Sequence, residues 1–269
     1  MSDVLASPTL SAPAPNPAAR APLTAALTMT ARSVRLSRRN VDAVITSMML
    51  PLMLMLVFVY FFGGAIDTGT QYVTYVLPGI LILCAAFGAA STAVSVSEDM
   101  KGGIIDRFRS LDVSGTAVLA GHVAASTVRN LFSTLLVLGA GLLIGFRPSA
   151  SPLGWLAAAG VLVAFLLAIS WLSAAVGLLA KTPEAAAGFT FFMMFLPYPS
   201  SAFVPIHTMP SWLHGFAEHQ PVTPLIESLR GLLLAQPVGT APWTALAWCA
   251  GMLAAAVGAS GVLFKLRTA

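Results

Sequence analysis

The sequence predicts an all-α protein that crosses a membrane several times, and three observations support this fold class. Of the 269 residues, 57% are hydrophobic and only 9% are charged, whereas a soluble domain carries about 25% charged residues. The mean hydropathy is +0.86. Apolar runs recur along the chain, and a helix needs about 20 apolar residues to cross a bilayer. We therefore expect a polytopic helical membrane protein.

The segment before the first apolar run predicts a tail and then an interfacial helix. Residues 1–22 are rich in Pro, Ala and Ser, a composition typical of a disordered tail, and residues 23–269 form the predicted transmembrane domain. Apolar residues recur from Leu23 to Val34 at spacings of four, four and three. Arg32, Arg35 and Arg39 lie on the opposing face. This pattern predicts an amphipathic helix in the cytoplasmic interface, which either anchors the chain or also docks a cytoplasmic partner.

Six segments are apolar and long enough to span, at residues 44–62, 75–96, 123–146, 153–180, 185–203 and 243–264. An even number of spans places both termini on one side. Arg129 lies near the start of the third predicted span, and we assign it to the same side of the membrane as the termini. Of the 14 Lys and Arg residues, only Arg147 and Arg230 then lie on the other side. The positive-inside rule therefore predicts a multi-pass protein of the cell membrane with both termini cytoplasmic. Basic residues next to apolar spans indicate topology rather than a nucleic-acid partner.

The loop after the second span predicts a short cytoplasmic helix with an apolar ridge. Gly102 and Gly103 interrupt the preceding helix, which ends in an acidic and basic cluster. The cluster is Glu98, Asp99 and Lys101, the ridge is Ile104, Phe108 and Leu111, and the flanking charges are Asp106, Arg107 and Arg109. Such a helix either inserts into a groove on a soluble protein or rests on lipid headgroups. Periodicity alone favours the second possibility.

The longest loop, residues 204–242, lies on the outward side and predicts two short amphipathic helices. They could form a hairpin that dips back into the outer leaflet. Glu227 and Arg230 are three residues apart, a spacing that allows an ion pair. Histidines at 207, 214 and 219 also lie here. No Cys or Asp cluster accompanies them, so we predict no metal site.

The fifth span carries Phe and Met residues before two prolines. Phe191, Phe192 and Phe195 make a broad, adaptable apolar surface, although packing against lipid or a neighbouring helix explains most of these residues equally well. Pro197 and Pro199 should break the helix at its outer end.

Several kinds of site are missing from the sequence. The chain contains no Gly-x-x-x-x-Gly-Lys-[Ser/Thr] phosphate loop, so we expect no nucleotide hydrolysis. No acidic residue falls clearly within the centre of a span, which argues against an ion-coupled carrier. No nucleophile–base pair is evident either. Cys84 and Cys249 lie in apolar runs, so neither a disulfide nor a metal site is expected.

Three motifs together resemble the permeases of ABC-2 type exporters, and most of all their daunorubicin-resistance branch. Residues 98–111 (EDMKGGIIDRFRSL) are similar to the coupling segment of that family. Residues 205–213 (PIHTMPSWL) resemble its stretch after the fifth span. Residues 221–231 (PVTPLIESLRG) resemble its Asn-Pro-hydrophobic-Thr and then Ala-Leu-Arg-Gly pattern. Gln220 stands where the family usually has Asn.

The resemblance implies a permease that is not itself an enzyme. Separate ABC ATPase subunits would bind ATP and Mg, and the residues of the 98–111 motif would form the coupling helix against them. A second permease copy, more often an identical one, and membrane lipid are the other implied partners. The outer gate and dimer seam would be formed by Phe191, Phe192, Phe195, Pro197, Phe203, Pro205, Trp212, Pro221, Glu227 and Arg230.

The implied cargo is a lipophilic compound, either a drug or antibiotic or a lipid. One alternative is export of a lipid-linked glycan or cell-wall lipid, although the few Trp and Tyr residues give no aromatic ladder for a glycan. An alternative of another class is a membrane component that anchors or regulates an ATPase without transporting anything.

Overall fold

The computed structural model describes residues 41–102 and 115–268, and within these ranges its regular structure is helical. The predicted interfacial helix with Arg32, Arg35 and Arg39, and residues 104–111 of the predicted coupling helix, lie outside the described residues. The helices are α1 (Val41–Val57), α2 (Tyr72–Lys101), α3 (Gly115–Ile144), α4 (Pro152–Leu179), α5 (Pro183–Met194), α6 (Ser211–His219), α7 (Val222–Leu233) and α8 (Ala241–Thr268). A π-helical turn, Phe58–Phe62, continues α1, and a 3-10 turn, Ile206–Thr208, precedes α6.

Four of the described helices are long and apolar enough to cross a membrane. They are α2, α3 from Leu119, α4, and α8 as far as Leu263, and a shorter apolar helix covers Met48–Phe62. At a rise of about 1.5 Å per residue, each of the four exceeds the roughly 30 Å of a hydrocarbon core. The chain is therefore a multi-pass helical membrane protein.

The centre of the bundle is formed by α2 and α4. These two helices pack on each other, α3 packs on both, and α7 and α8 cover α4. Within the most apolar 18-residue stretch of each helix, the buried share is 78% in α2 and 72% in α4, compared with 28% in α3 and 17% in α8. Because α3 and α8 are apolar along their length but largely exposed, their outer faces are suited to lipid.

Local sequence accounts for the starts of α4 and α5. The Ser151 hydroxyl accepts a hydrogen bond from the Gly154 backbone N–H at 3.1 Å, and the Thr182 hydroxyl accepts one from Ala185 at 3.2 Å. In both helices a proline follows the capping residue. A side-chain cap followed by Pro satisfies the first-turn donors and fixes the helical φ angle.

The fifth predicted span differs most from the structure. The α5 helix covers only Pro183–Met194, and residues 195–203 form compact turns where the sequence predicts helix as far as residue 203. Pro197 and Pro199 have no backbone N–H to continue the helix. The predicted break is therefore present, and it lies nearer the middle of the predicted span than its outer edge.

The second and third helices also extend beyond their predicted limits. Instead of ending at residue 96, α2 continues to Lys101. Instead of beginning at residue 123, α3 begins at Gly115. Arg129, predicted near the start of the third span, thus lies well inside α3. In α2 the added turn contains Glu98 and Lys101, which are good helix formers although hydropathy falls there.

Candidate functional site

The described site residues fall at two ends of the bundle. The hairpin end carries α6, α7 and the first turn of α2. The opposite end carries the last turn of α2 and the first half of α3.

Arg230 of α7 joins three segments at the hairpin end. Its Nε and Nη2 atoms donate hydrogen bonds to the Tyr75 carbonyl at 3.3 and 3.1 Å. Nη2 also donates to the Ser201 carbonyl at 2.7 Å. The guanidinium carbon lies 3.9 Å from the centre of the Tyr75 ring, within the range of a cation–π interaction. One half-buried cation therefore holds α7 to the start of α2 and to the turns after α5.

The spacing of Glu227 and Arg230 allows an ion pair, but their charged groups do not approach within 4.0 Å of each other. Within the described residues, the only ion pair within 4.0 Å joins Asp99 and His122. Arg230 directs its donors to backbone carbonyls instead. Glu227 is exposed and, with Gln236, lines a cavity of about 230 Å³ between α7 and the start of α8. Partial burial, and then the neighbouring Glu218, raise the pKa of the Glu227 carboxyl, although Arg230 opposes this shift.

The turns after α5 are fixed by polar contacts on both sides. The Tyr72 hydroxyl donates to the Phe203 carbonyl at 2.7 Å, and the Gln220 side-chain amide donates to the Pro199 carbonyl. A Cβ at Gly79 would lie 2.7 Å from the Cβ of Ala202, so only glycine permits this approach of α2 to the turns. Gln220, the departure from the expected Asn, thus reaches across to the turns with its side chain.

An unbroken series of aromatic contacts connects α5 to α1. Ring-centroid distances are 5.1 Å from Phe191 to Phe195, 5.6 Å from Phe195 to Tyr198, 5.3 Å from Tyr198 to Phe203 and 4.5 Å from Phe203 to Phe58. Spacings of 4.5–7 Å are favourable for aromatic pairs. The series begins at the bundle surface, where Phe191 is 58% exposed, and passes through the interior at Phe203, which is 4% exposed.

The predicted gate and seam residues therefore divide into two groups. Phe191, Phe192, Phe195 and Trp212 are exposed large side chains, whereas Pro197 and Phe203 are buried. Pro205 precedes the 3-10 turn, and Pro221 is the N-cap residue of α7. The exposed group supplies an apolar surface, and the buried group supplies internal packing.

Two of the three histidines between residues 204 and 242 have local partners. A ring nitrogen of His214 lies 2.9 Å from the Met209 carbonyl, and one of His219 lies 2.9 Å from the Gly215 carbonyl. In the described part of the chain, no three His, Cys, Asp or Glu side chains come together as metal ligands.

At the opposite end, Asp99 links the last turn of α2 to α3. Its Oδ2 atom lies 2.9 Å from His122 Nε2, and both side chains are partly exposed. Glu98 and Lys101 are exposed on the same turn, and the Gly102 N–H caps the helix by donating to the Glu98 carbonyl at 2.8 Å. The Asp99–His122 contact therefore joins the end of α2 to α3 on either side of residues 103–114. Sequence reasoning did not identify His122, because no local pattern marks a partner 23 positions away on another helix.

These features define the class of the protein as a multi-pass membrane protein in which short helices pack against one end of a helical bundle. Comparison with known proteins identifies the family. Residues 24–234 match the family model described as ABC-2 type transporter, and the chain belongs to this family. The resemblance noted from the sequence is thereby confirmed.

Two curated relatives indicate the branch of the family. The chain is 31% identical over 219 residues to the daunorubicin resistance ABC transporter permease protein DrrB1 of Streptomyces coeruleorubidus, covering 81% of this chain and 77% of that protein. It is 26% identical over 216 residues to the probable doxorubicin resistance ABC transporter permease protein DrrC of Mycobacterium tuberculosis, covering 80% and 78%. Both relatives are named as permease subunits, and the family implies partnership with an ABC ATPase.

Proposed function

We propose that this chain is the permease subunit of an ATP-driven exporter that moves a lipophilic cargo out of the cytoplasm or the inner leaflet. The observation that carries the proposal is the helical pair at the hairpin end. The α7 helix is too short to span, yet most of its side chains are buried, and Arg230 fastens it to α2 and to the turns after α5. A membrane bundle closed at one end by short, fastened helices is suited to gated passage from the other end.

The proposed topology has six spans with both termini in the cytoplasm. Beside the four long helices, α1 with its π-helical turn has 22 residues from Val41 to Phe62, or about 33 Å at 1.5 Å per residue. The 12 residues of α5 cover about 18 Å, so the turns at 195–203 would complete the fifth span. Irregular backbone at that depth is tolerated where protein buries it and supplies hydrogen bonds, as Tyr72 does for Phe203.

The proposed partners are ABC ATPase subunits, which would bind ATP and Mg. The helix at residues 104–111 would seat in an ATPase groove, with Ile104, Phe108 and Leu111 as the apolar ridge. Its movement would reach the bundle through α2 and α3, which the Asp99–His122 contact joins on either side of residues 103–114.

A second copy of the same chain is the other proposed partner. Exposed aromatic side chains lie at the end of α5 and on the π-helical turn, and the aromatic contacts from Phe195 through Phe203 to Phe58 connect these two sets. The exposed side chains include Phe191, Phe192, Phe195, Tyr60 and Phe61. Aromatic residues supply a large buried area in protein interfaces, so we propose a homodimer that meets along these side chains.

The proposed mechanism couples ATP-driven closure of the ATPases to opening of the hairpin end. Movement of α2 would pull the Tyr75 carbonyl away from Arg230 and release α7. Cargo would leave by alternating access or by lateral extrusion between the two permease copies. Apolar cargo would be bound by buried area, at about 25 cal/mol per Å².

The names of the relatives support a lipophilic drug as the cargo to test first. The experiment is co-reconstitution of the full chain with its ABC ATPase in vesicles, with doxorubicin as the probe. ATP-dependent movement of doxorubicin supports the export function. A complex that hydrolyses ATP but moves neither doxorubicin nor labelled lipid would instead support the membrane anchor or regulator.

A further inference from the structure

A layer of polar side chains crosses the interior of the bundle between α2, α3 and α4. The Thr92 hydroxyl donates to Ser126 Oγ at 2.6 Å, and Ser126 Oγ lies 3.2 Å from Ser170 Oγ. The Asn130 amide donates to the same Ser126 oxygen at 3.3 Å. All four side chains are at most 2% exposed. Polar groups within membrane helices are costly, and their presence marks functional positions.

Close packing fixes the orientation of this layer. A Cβ at Gly88 of α2 would lie 1.7 Å from Asn130 Oδ1, so the Asn130 side chain rests directly on the α2 backbone. Asn130 Oδ1 has no hydrogen-bond partner within the described residues, although it is buried. Because Asn130 points into the α2–α3 contact, the preceding residue on α3, Arg129, is turned to the rim of that contact.

Arg129 places a cation at this rim, and among the described residues no carboxylate neighbours it. Its Nη2 atom donates to Ser91 Oγ at 2.8 Å, and no acidic side chain of the described residues lies within 4.0 Å of it. A guanidinium has five N–H donors, and a serine hydroxyl supplies no compensating charge. Ser91 is exposed and Arg129 is half-buried, so the guanidinium is accessible from the surface of the bundle.

The position of Arg129 along α3 corresponds to the inner leaflet. It lies 15 residues before the last residue of the helix, Ile144, or about 22 Å at 1.5 Å per residue. In the proposed topology Ile144 marks the outer side, so Arg129 lies about 8 Å from the inner edge of a 30 Å hydrocarbon core. Toward the bilayer centre, the same face of α3 continues with the exposed apolar side chains of Phe132 and Leu136.

We infer that Arg129 and Ser91 form a binding site for the anionic headgroup, a phosphate, of an amphiphile in the inner leaflet. The planar guanidinium suits bidentate pairing with phosphate. The apolar face above it suits the hydrocarbon tails, which point from an inner-leaflet headgroup toward the bilayer centre. This inference rests on the proposed export function for its topology, and it identifies the inner-leaflet ligand as an anionic amphiphile.

The binding test uses the full chain purified in nonionic detergent, without any ATPase. Fluorescently labelled phosphatidylglycerol and phosphatidylcholine are titrated separately and followed by anisotropy. A single basic residue near a membrane surface favours anionic lipid by about fivefold. We expect a preference of that size in the wild type and in Arg147→Gln, and its loss in Arg129→Gln. Arg147→Gln is the matched control, because it removes the same charge at the other end of α3. Arg129→Lys should keep part of the preference, because it keeps the charge and loses the planar fork.

Equal affinities of the wild type for the two lipids, or a preference that survives Arg129→Gln, would overturn the inference. Both results are independent of ATP-driven transport, so they are distinguishable from failure of the export function. A second arm identifies the source of the phosphate. ATP-dependent movement of labelled phosphatidylglycerol that Arg129→Gln abolishes makes the bound amphiphile a cargo. Anionic preference without such movement makes it a resident lipid of the same site.

Discussion

Replacement of Arg230 by Met should loosen the hairpin end while leaving the spans intact. Met retains most of the length of the apolar stem and removes every donor. The wild-type guanidinium bonds two carbonyls, those of Tyr75 and Ser201. A hydrogen bond to a charged group contributes about 1.5–3 kcal/mol. We take the lower value for each carbonyl because Arg230 is only half-buried, which gives about 3 kcal/mol. That loss corresponds to roughly a hundredfold increase in the population of molecules in which α7 has come away from α2 and from the turns after α5.

Cysteine accessibility measures this population directly. Ser201 is 4% exposed, and Ser201→Cys is nearly isosteric, so the new thiol should be protected in the packed state. The background carries Cys84→Ala and Cys249→Ala, which removes both natural thiols. A membrane-impermeant maleimide added from outside should label position 201 slowly, and much faster when Arg230→Met is present.

Arg147→Met is the matched control for this experiment. Arg147 also donates to two carbonyls, those of Leu142 and Phe146, at 2.8 and 3.1 Å. Leu142 lies in the last turn of α3 and Phe146 directly follows that helix, so this arginine joins no separate segments. Its loss should leave labelling at position 201 unchanged. Equal labelling rates with and without Arg230→Met, in correctly inserted protein, would refute the assigned role of Arg230.

Four further predictions test other parts of the molecule. A cysteine at Thr70 should react only with external reagent, and a C-terminal tag should be reachable only from the cytoplasm; labelling of position 70 from the cytoplasm alone would overturn the six-span topology. Asp99→Asn and His122→Gln should each slow cargo-stimulated ATP hydrolysis, and the double variant should hydrolyse ATP no more slowly than either single variant. If the losses of hydrolysis rate were additive in the double variant, the two residues would act separately. Phe108→Ala should weaken ATPase association by more than about tenfold, as expected for a buried aromatic anchor; undiminished co-purification would leave this segment as a surface helix. Because the pKa of Glu227 is raised in the folded protein, its ionisation on raising the pH above the usual carboxyl range should destabilise the fold. Glu227→Gln should therefore have a higher Tm than wild type at pH 7. The two Tm values should be equal at low pH, where the Glu227 carboxyl is protonated in both the folded and the unfolded protein. A constant difference in Tm at all pH values would contradict this linkage.

Hydropathy predicted most helices of the described chain because burial in lipid is encoded locally. The first, second, third, fourth and sixth predicted spans each correspond to one helix. The fifth does not, since the path of residues 195–203 depends on bonds from Tyr72 and Gln220, which are distant in sequence. Apolar composition alone could not distinguish these turns from a continued helix.

The candidate site was less predictable than the fold because its contacts cross between elements. The spacing of Glu227 and Arg230 allows a local pair, but the Tyr75 and Ser201 carbonyls compete successfully for the guanidinium. Both acceptors are backbone carbonyls, which every residue carries, so the sequence gives no sign of which ones the guanidinium will bind. Arg129 was counted as a topology marker, and its depth in α3 became evident only when the helix was found to begin at Gly115.

The most direct test of the export function is ATP-dependent transport by the chain together with its ABC ATPase. Inside-out vesicles containing both subunits should accumulate doxorubicin when ATP is supplied, and vesicles containing either subunit alone should not. An ATPase variant that binds but does not hydrolyse ATP controls for passive partitioning. Accumulation that is the same with and without ATP, by a complex shown to hydrolyse it, would contradict the proposed drug export. The same result with labelled lipid as the probe would contradict export of a lipophilic cargo altogether.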